Sequence, residues 1–184
     1  MNKAFVTLNV KAIDGEQRVV EGWATRAEQD RVGDIVLPRG AVYKLPLPFL
    51  LDHDHSKAVG QVDRVEVTDS GIRFWAHIPR VEEDGELKRL TDYAWSLVKT
   101  GLRKAVSIGF RVLESEPITN SRGIKVRSWE WLELSAVSVP CLASAQITGV
   151  KSYGSDYVTV SHDSVGAVRL ITHKPGEGSV RLGR

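Results

Sequence analysis

The sequence predicts a mainly β domain of the α+β class, with a barrel-like arrangement of strands. Three observations predict it. Short segments that alternate apolar and polar residues recur along the chain with turn residues between them. One stretch near the middle changes to apolar spacings of three and four, the period of a helix. Strands do not alternate with helices, which argues against a doubly wound parallel sheet. A length of 184 residues suits one domain with one sizeable core and an additional tail.

The elements follow in order. Residues 5–12 are β-rich, Asp14-Gly15 is a turn signal, and residues 18–25 read as the returning strand of a hairpin. Residues 28–40 are polar and loop-like around Gly33-Asp34. Leu45-Pro46-Leu47-Pro48 is stiff and extended and leads into the apolar run Phe49-Leu50-Leu51. A second hairpin pairs 59–68 with 72–78 through Asp69-Ser70-Gly71. Between Asp84 and Thr100, the residues Leu87, Leu90, Ala94, Leu97 and Val98 make an amphipathic helix, with Asp84 as N-cap and Gly101 as its stop. A strand covers 105–113, a polar loop 114–122, and two extended pieces 123–134 and 136–139 run up to Pro140. The domain is expected to cover residues 1–149. Residues 150–184 turn Ser-, Gly- and Asp-rich and read as a weakly structured tail or an attachment element, with β-like pieces at 157–160 and 168–171.

Composition narrows the function. Twenty-five Lys and Arg stand against 23 Asp and Glu, a net charge of +2, so no basic field points to nucleic acid. No apolar run approaches the roughly 20 residues that cross a bilayer, so no membrane partner is expected. The first residues run straight into an alternating pattern, without a signal peptide's charged and apolar regions. The single cysteine, Cys141, rules out an intrachain disulfide, which fits a reducing cytosol.

Three chemically capable groups sit on hydrophobic segments. Ser107 lies in Ala105-Val106-Ser107-Ile108-Gly109-Phe110, His53 and His55 lie in Leu51-Asp52-His53-Asp54-His55, and Glu133 lies between Leu132 and Leu134. A hydroxyl, an imidazole and a carboxylate are what a serine hydrolase requires, because serine is a poor nucleophile until an oriented base takes its proton. Each group has a plainer reading. Ser107 is also a small polar residue satisfied by backbone. On a strand His53 and His55 would share one face, with Asp52 and Asp54 on the other, and the segment is also a polar surface loop. Glu133 is equally a structural ion-pair partner for an arginine. The His-x-His spacing also suits zinc, with His77, Glu133 or a tail histidine as a third ligand, but no second ligand cluster of recognisable spacing accompanies it. Gly109 is placed to let backbone or substrate approach closely. Ala105-Val106-Ser107-Ile108-Gly109 lacks the first glycine of a nucleophile elbow. Cys141 follows Pro140 with no electropositive neighbourhood and reads as structural. The five tryptophans read as core and strand-face residues.

Taken together, the segments resemble the prohead (capsid maturation) serine proteases of tailed phages, a family related in fold to the herpesvirus assembly proteases. The resemblance covers roughly residues 18 to 148. It runs through Gly22-Trp23-Ala24, Asp30-Arg31-Val32-Gly33-Asp34-Ile35-Val36, Gly40-Ala41, Pro48-Phe49-Leu50-Leu51-Asp52-His53-Asp54, Gly60, Ser107-Ile108-Gly109-Phe110 and Leu132 to Pro140. Where the family commonly has Pro-Ala-Asn after the last strand, this chain has Pro140-Cys141-Leu142-Ala143. The resemblance implies a β-barrel of the herpesvirus-protease type, packed by one long and some short helices. It implies a serine endopeptidase that needs no cofactor, with His53 as base, Ser107 as nucleophile and Glu133 as the acidic third member. His55 is the rival for His53. The implied substrate is a scaffold protein or the scaffold segment of the major capsid protein, cut inside the assembling procapsid in the host cytoplasm, with self-cleavage. The tail from about Val150 would direct the protease into the capsid or be trimmed by self-cleavage. Monomer and homo-oligomer both stay open. Backbone N–H groups are the default donors of an oxyanion hole, with Arg111 or Arg127 helping through a water. The alternatives are a zinc hydrolase built on His53 and His55, and a non-catalytic capsid scaffold protein.

Overall fold

The structure, a computed structural model, describes residues 17–153, 158–162 and 168–172. The expected strand at 5–12 lies outside the described residues, as does most of the expected tail. The elements are β1 (Gln17–Arg26), β2 (Ile35–Val36), β3 (Ala41–Val42), β4 (Leu47–Leu51), β5 (Asp54–Val67), β6 (Gly71–Ile78), α1 (Glu86–Lys99), β7 (Ala105–Pro117), β8 (Ile124–Val137), β9 (Ile147–Tyr153), β10 (Val158–His162) and β11 (Val168–Thr172). They fall into two compact units. Strands β10 and β11 pair antiparallel with each other, Val158 opposite Thr172. The other elements form the larger unit.

Alternation decides the strands of the larger unit. On β6 the even positions Ile72, Phe74, Ala76 and Ile78 are at most 1% exposed and face the core, while Arg73, Trp75 and His77 face outward. The polar loop expected at 28–40 contains β2 and a 3-10 turn at Pro38–Gly40, and the loop expected at 114–122 is shorter because β7 runs on to Pro117. The two extended pieces expected after it are one strand, β8.

The helix lies where its period placed it, with two differences. Gly85, not Asp84, occupies the N-cap, and no side chain caps it. The buried stripe is Thr91, Ala94, Trp95 and Val98, packed on β5 and β6, and Leu87 stays 55% exposed. Trp95 sets the face as the largest apolar surface available. The guanidinium of Arg18 lies 5.8 Å from its ring and bonds Asp92 at 2.7 Å, tying helix to β1. Gly101 ends the helix with φ +74°, the left-handed conformation glycine adopts without strain.

The mainly β, α+β class holds, but the expected closed barrel does not form. The sheet runs β2-β8-β4-β5-β6-β1-β9, with β3 and β7 also paired to β8. After Pro140 the returning chain meets β7 only at one isolated bridge, Ala105 with Gln146. Two backbone bonds flank it, Val106 N–H to Ala145 at 3.1 Å and Ile147 N–H to Lys104 at 3.0 Å. It then leaves to become β9 on β1. The contact is too short to be a ladder, so the outer edge of β7 beyond Val106 stays open. The 3-10 turn and α1 are the helices among the described residues.

His77 on β6 bonds Asp63 on β5, and that hydrogen bond raises the imidazole above its ordinary value. A raised folded value means the pair stabilises the protein fully below about pH 6.5 and loses that contribution as pH rises through the raised value. Both side chains are 40–50% exposed, so the contribution belongs to the 0–1 kcal/mol typical of about that exposure. Asp63→Asn is expected to flatten this part of the pH–melting profile, read by thermal unfolding between pH 5 and about 8.5.

Candidate functional site

Strand β8 organises the site. It lies between β4, which joins it in parallel, and β7, which joins it antiparallel. Leu50, Ser135 and Ser107 therefore stand in one row across the three strands. Neighbouring strands are about 4.8 Å apart, and residues directly opposite in an antiparallel pair point to the same face. Ser107 thus shares a face with Ser135, and Gly109, opposite Glu133, shares it too.

A bulge gives that face its polar character. Phe110 pairs with Trp131 and Gly109 with Glu133, so Leu132 is an extra residue on β8 and stands 47% exposed. Trp129, Trp131, Leu134 and Ala136 all belong to the core. The core positions therefore step by two, then three, then two, and the long step turns Glu133 and Ser135 away from the core. Bulges commonly re-aim side chains in this way. The indole N–H of Trp131 reaches across the bulge to the Glu133 carbonyl at 2.7 Å.

His53 arrives on a turn, not on a strand. Leu51 and Asp54 pair directly, leaving Asp52 and His53 as a two-residue hairpin loop with φ +53° and +59°. Positive φ at both central residues is the type I′ pattern, whose twist matches the flanking strands. The shared face expected for His53 and His55 is therefore not formed, because the chain reverses between them. The turn is fastened from below and from the side. Asp52 N–H donates to the Ala136 carbonyl at 3.2 Å, His53 N–H to Ser135 Oγ at 3.0 Å, and Arg103 bonds the Asp52 carboxylate at 2.6 Å and the Ser138 hydroxyl. The Ser56 hydroxyl, with help from Lys57, holds the Asp54 carboxyl down at about 2.

The imidazole and the carboxylate meet. His53 Nδ1–H donates to Glu133 Oε1 at 2.7 Å, and the Ser135 hydroxyl donates to Glu133 Oε2 at 2.6 Å. Glu133 is 3% exposed, and these two bonds offset the cost of burying its charge. An acceptor at Nδ1 fixes the proton there and leaves Nε2 as the basic nitrogen. Of the two readings open for Glu133, the imidazole partner is therefore the one observed. Gly109 makes room for it: a Cβ built there would overlap Oε1 and lie 2.7 Å from Cδ.

Ser107 is half-buried on the same face and makes no side-chain hydrogen bond among the described residues. It is not bonded to His53 in this state, and such bonds commonly tighten only with substrate bound. A cleft opens past the free edge of β7, lined by Ala24, Arg26, Ser107, Phe110 and Leu142.

The remaining candidates separate from this cluster. His55 is exposed on β5 and His77 is engaged by Asp63. Among the described residues no three His, Cys, Asp or Glu side chains group to hold a metal. Arg111 pairs with Glu130 and Arg127 with Glu116. Partial burial and the Asp30 carboxylate push the Cys141 thiol up, away from the reactive thiolate. Ser135, Asp52 and Arg103 were not singled out by the sequence. The visible signal was a serine inside the otherwise buried run Leu134 to Val137.

Comparison with known proteins bears on this cluster. A family model described as caudovirus prohead serine protease matches residues 7–159. The chain is 31% identical over 163 residues to a prohead protease of Escherichia phage T5, covering 80% of this chain and 72% of that protein. It is 48% identical over 151 residues to a capsid polyprotein of Pseudomonas phage PAJU2, covering 82% of this chain but 23% of the polyprotein, so it spans about a quarter of that relative's length. No helix among the described residues is long and apolar enough to cross a membrane.

Proposed function

This chain belongs to the caudovirus prohead serine protease family, and from that premise we propose that Ser107, His53 and Glu133 are its catalytic triad. The observation that carries the assignment is the His53–Glu133 bond of 2.7 Å on the face of β8 that Ser107 shares. His53 Nε2 takes the Ser107 proton as Oγ attacks the scissile carbonyl, and the imidazolium then protonates the leaving amine. Water, deprotonated by the same nitrogen, releases the acyl group. Glu133 holds the Nδ1–H tautomer and stabilises the imidazolium. His53 is favoured over His55 because His53 alone meets a buried carboxylate. Backbone N–H groups beside Ser107 are the donors left for the oxyanion.

The substrate in this reading is a scaffold protein or the scaffold segment of the major capsid protein, with self-cleavage, inside the assembling procapsid. One relative bears the name capsid polyprotein, which supports a capsid protein as the target. Residues 150–184 serve to direct the enzyme to capsid or scaffold. The test is Ser107→Ala. The variant is expected to fold with an unchanged melting temperature, to lose labelling by a fluorophosphonate, and to leave a co-expressed capsid precursor uncut. Labelling or processing that survives the substitution overturns the triad.

A further inference from the structure

The triad reading leaves one buried polar group without a task. Ser135 is fully buried, yet its hydroxyl uses both of its functions on the two groups assigned above. It donates to Glu133 Oε2 at 2.6 Å and accepts the His53 backbone N–H at 3.0 Å. A serine hydroxyl has one proton to donate, so a bond to the carboxylate fixes its direction and leaves the lone pairs for the amide. The two bonds constrain different things. One locks the carboxylate rotamer so that Oε1 faces the imidazole. The other pins the backbone of a residue held at φ +59°, a conformation a histidine keeps only when its surroundings impose it.

We propose that Ser135 is the positioning residue of this centre: a single hydroxyl that sets both the carboxylate rotamer of Glu133 and the backbone of His53. The inference rests on the triad reading. Backbone bonds alone do not replace it. Asp52 N–H to Ala136 and the Arg103 bridge hold the first residue of the turn, while the His53 amide has Ser135 as its acceptor. The hydroxyl touches no reacting atom, so its loss acts on orientation and not on substrate contact.

The test uses the full chain. In the Ser107→Ala background, where self-cleavage is stopped, the His53 Nδ1–H proton is expected as a downfield, slowly exchanging resonance, identified by its absence in His53→Ala. Adding Ser135→Ala is expected to broaden it into exchange with water, although the tryptophan and core methyl signals stay folded. With Ser107 present, Ser135→Ala is expected to lower kcat on a peptide substrate about ten- to a hundredfold with KM within about twofold. Ser135→Thr, which keeps the hydroxyl, is expected to recover the resonance and most of kcat. A resonance and kcat unchanged in folded Ser135→Ala overturns the proposal, as does a loss that only tracks the unfolded fraction. If Thr at this buried site does not fold, Ser135→Ala against its own melting curve decides alone. Failure of the triad itself looks different: His53→Ala or Glu133→Ala would then keep wild-type activity.

Discussion

Gly109→Ala is expected to reduce activity by about a thousandfold or more, although the residue touches no substrate. The added methyl occupies the position of Glu133 Oε1, and the carboxylate cannot step aside without releasing both His53 and Ser135. On the triad reading the effect should therefore match loss of the acidic third member, which costs about 10⁴ in kcat where it is measured in the chymotrypsin-type enzymes. Overpacking at a buried site typically costs about 1–3 kcal/mol, partly offset by the roughly 0.4–1 kcal/mol that alanine gains over glycine by restricting the unfolded chain. A melting curve and the rate of fluorophosphonate labelling separate the two effects. Adding Glu133→Asp shortens the acid and opens the space again, so the double variant should regain part of the labelling rate. Wild-type labelling by folded Gly109→Ala would mean that the Glu133 position is irrelevant to the serine.

Glu133→Gln is the second large effect, about 10³- to 10⁴-fold in kcat at neutral pH with little change in fold. The amide has one accepting and one donating end, and Ser135 decides which end faces the histidine. Its oxygen already accepts the His53 N–H, so its own proton still seeks an acceptor, and the glutamine oxygen turns toward it. The NH₂ then faces Nδ1 and forces the proton to Nε2, the nitrogen proposed as the base. Kinetics on a short peptide check this, with KM expected to stay within about threefold. A variant that retains most of kcat would show that the tautomer is not set by this carboxylate.

Much of this was readable along the chain, and the gaps have physical causes. The period-two run through Ile72, Phe74, Ala76 and Ile78 gave β6 its face, since burial on one side dictates alternation. That Glu133 needs a partner was readable, because a carboxylate on an apolar segment must be paired, and His53 is the partner the structure supplies. The bulge at Leu132 was not readable, because Leu132, Leu134 and Ala136 alternate in the sequence as an unbroken strand would, and only the pairing with β7 shows which of them leaves the core. The turn at Asp52-His53 was hidden, because neither residue is the glycine that usually marks positive φ. Gly109 announced a close approach but not by whom, since Glu133 becomes its neighbour only through strand pairing. Closure of the barrel failed to follow from strand content. It depends on how many residues near Gln146 run beside β7, and the chain supplies a single bridge.

The parallel union of β4 with β8 has a consequence for when the proposed centre can act. Histidine and glutamate are 80 residues apart in the chain, and no local turn or hairpin can bring them together. Contacts of such separation pay their loop-closure entropy before any reward arrives, so local turns and hairpins are expected to precede them in folding. On the triad reading, a half-folded chain carries all three groups without the bond between histidine and glutamate, and the ability to cut waits until β4 has joined β8.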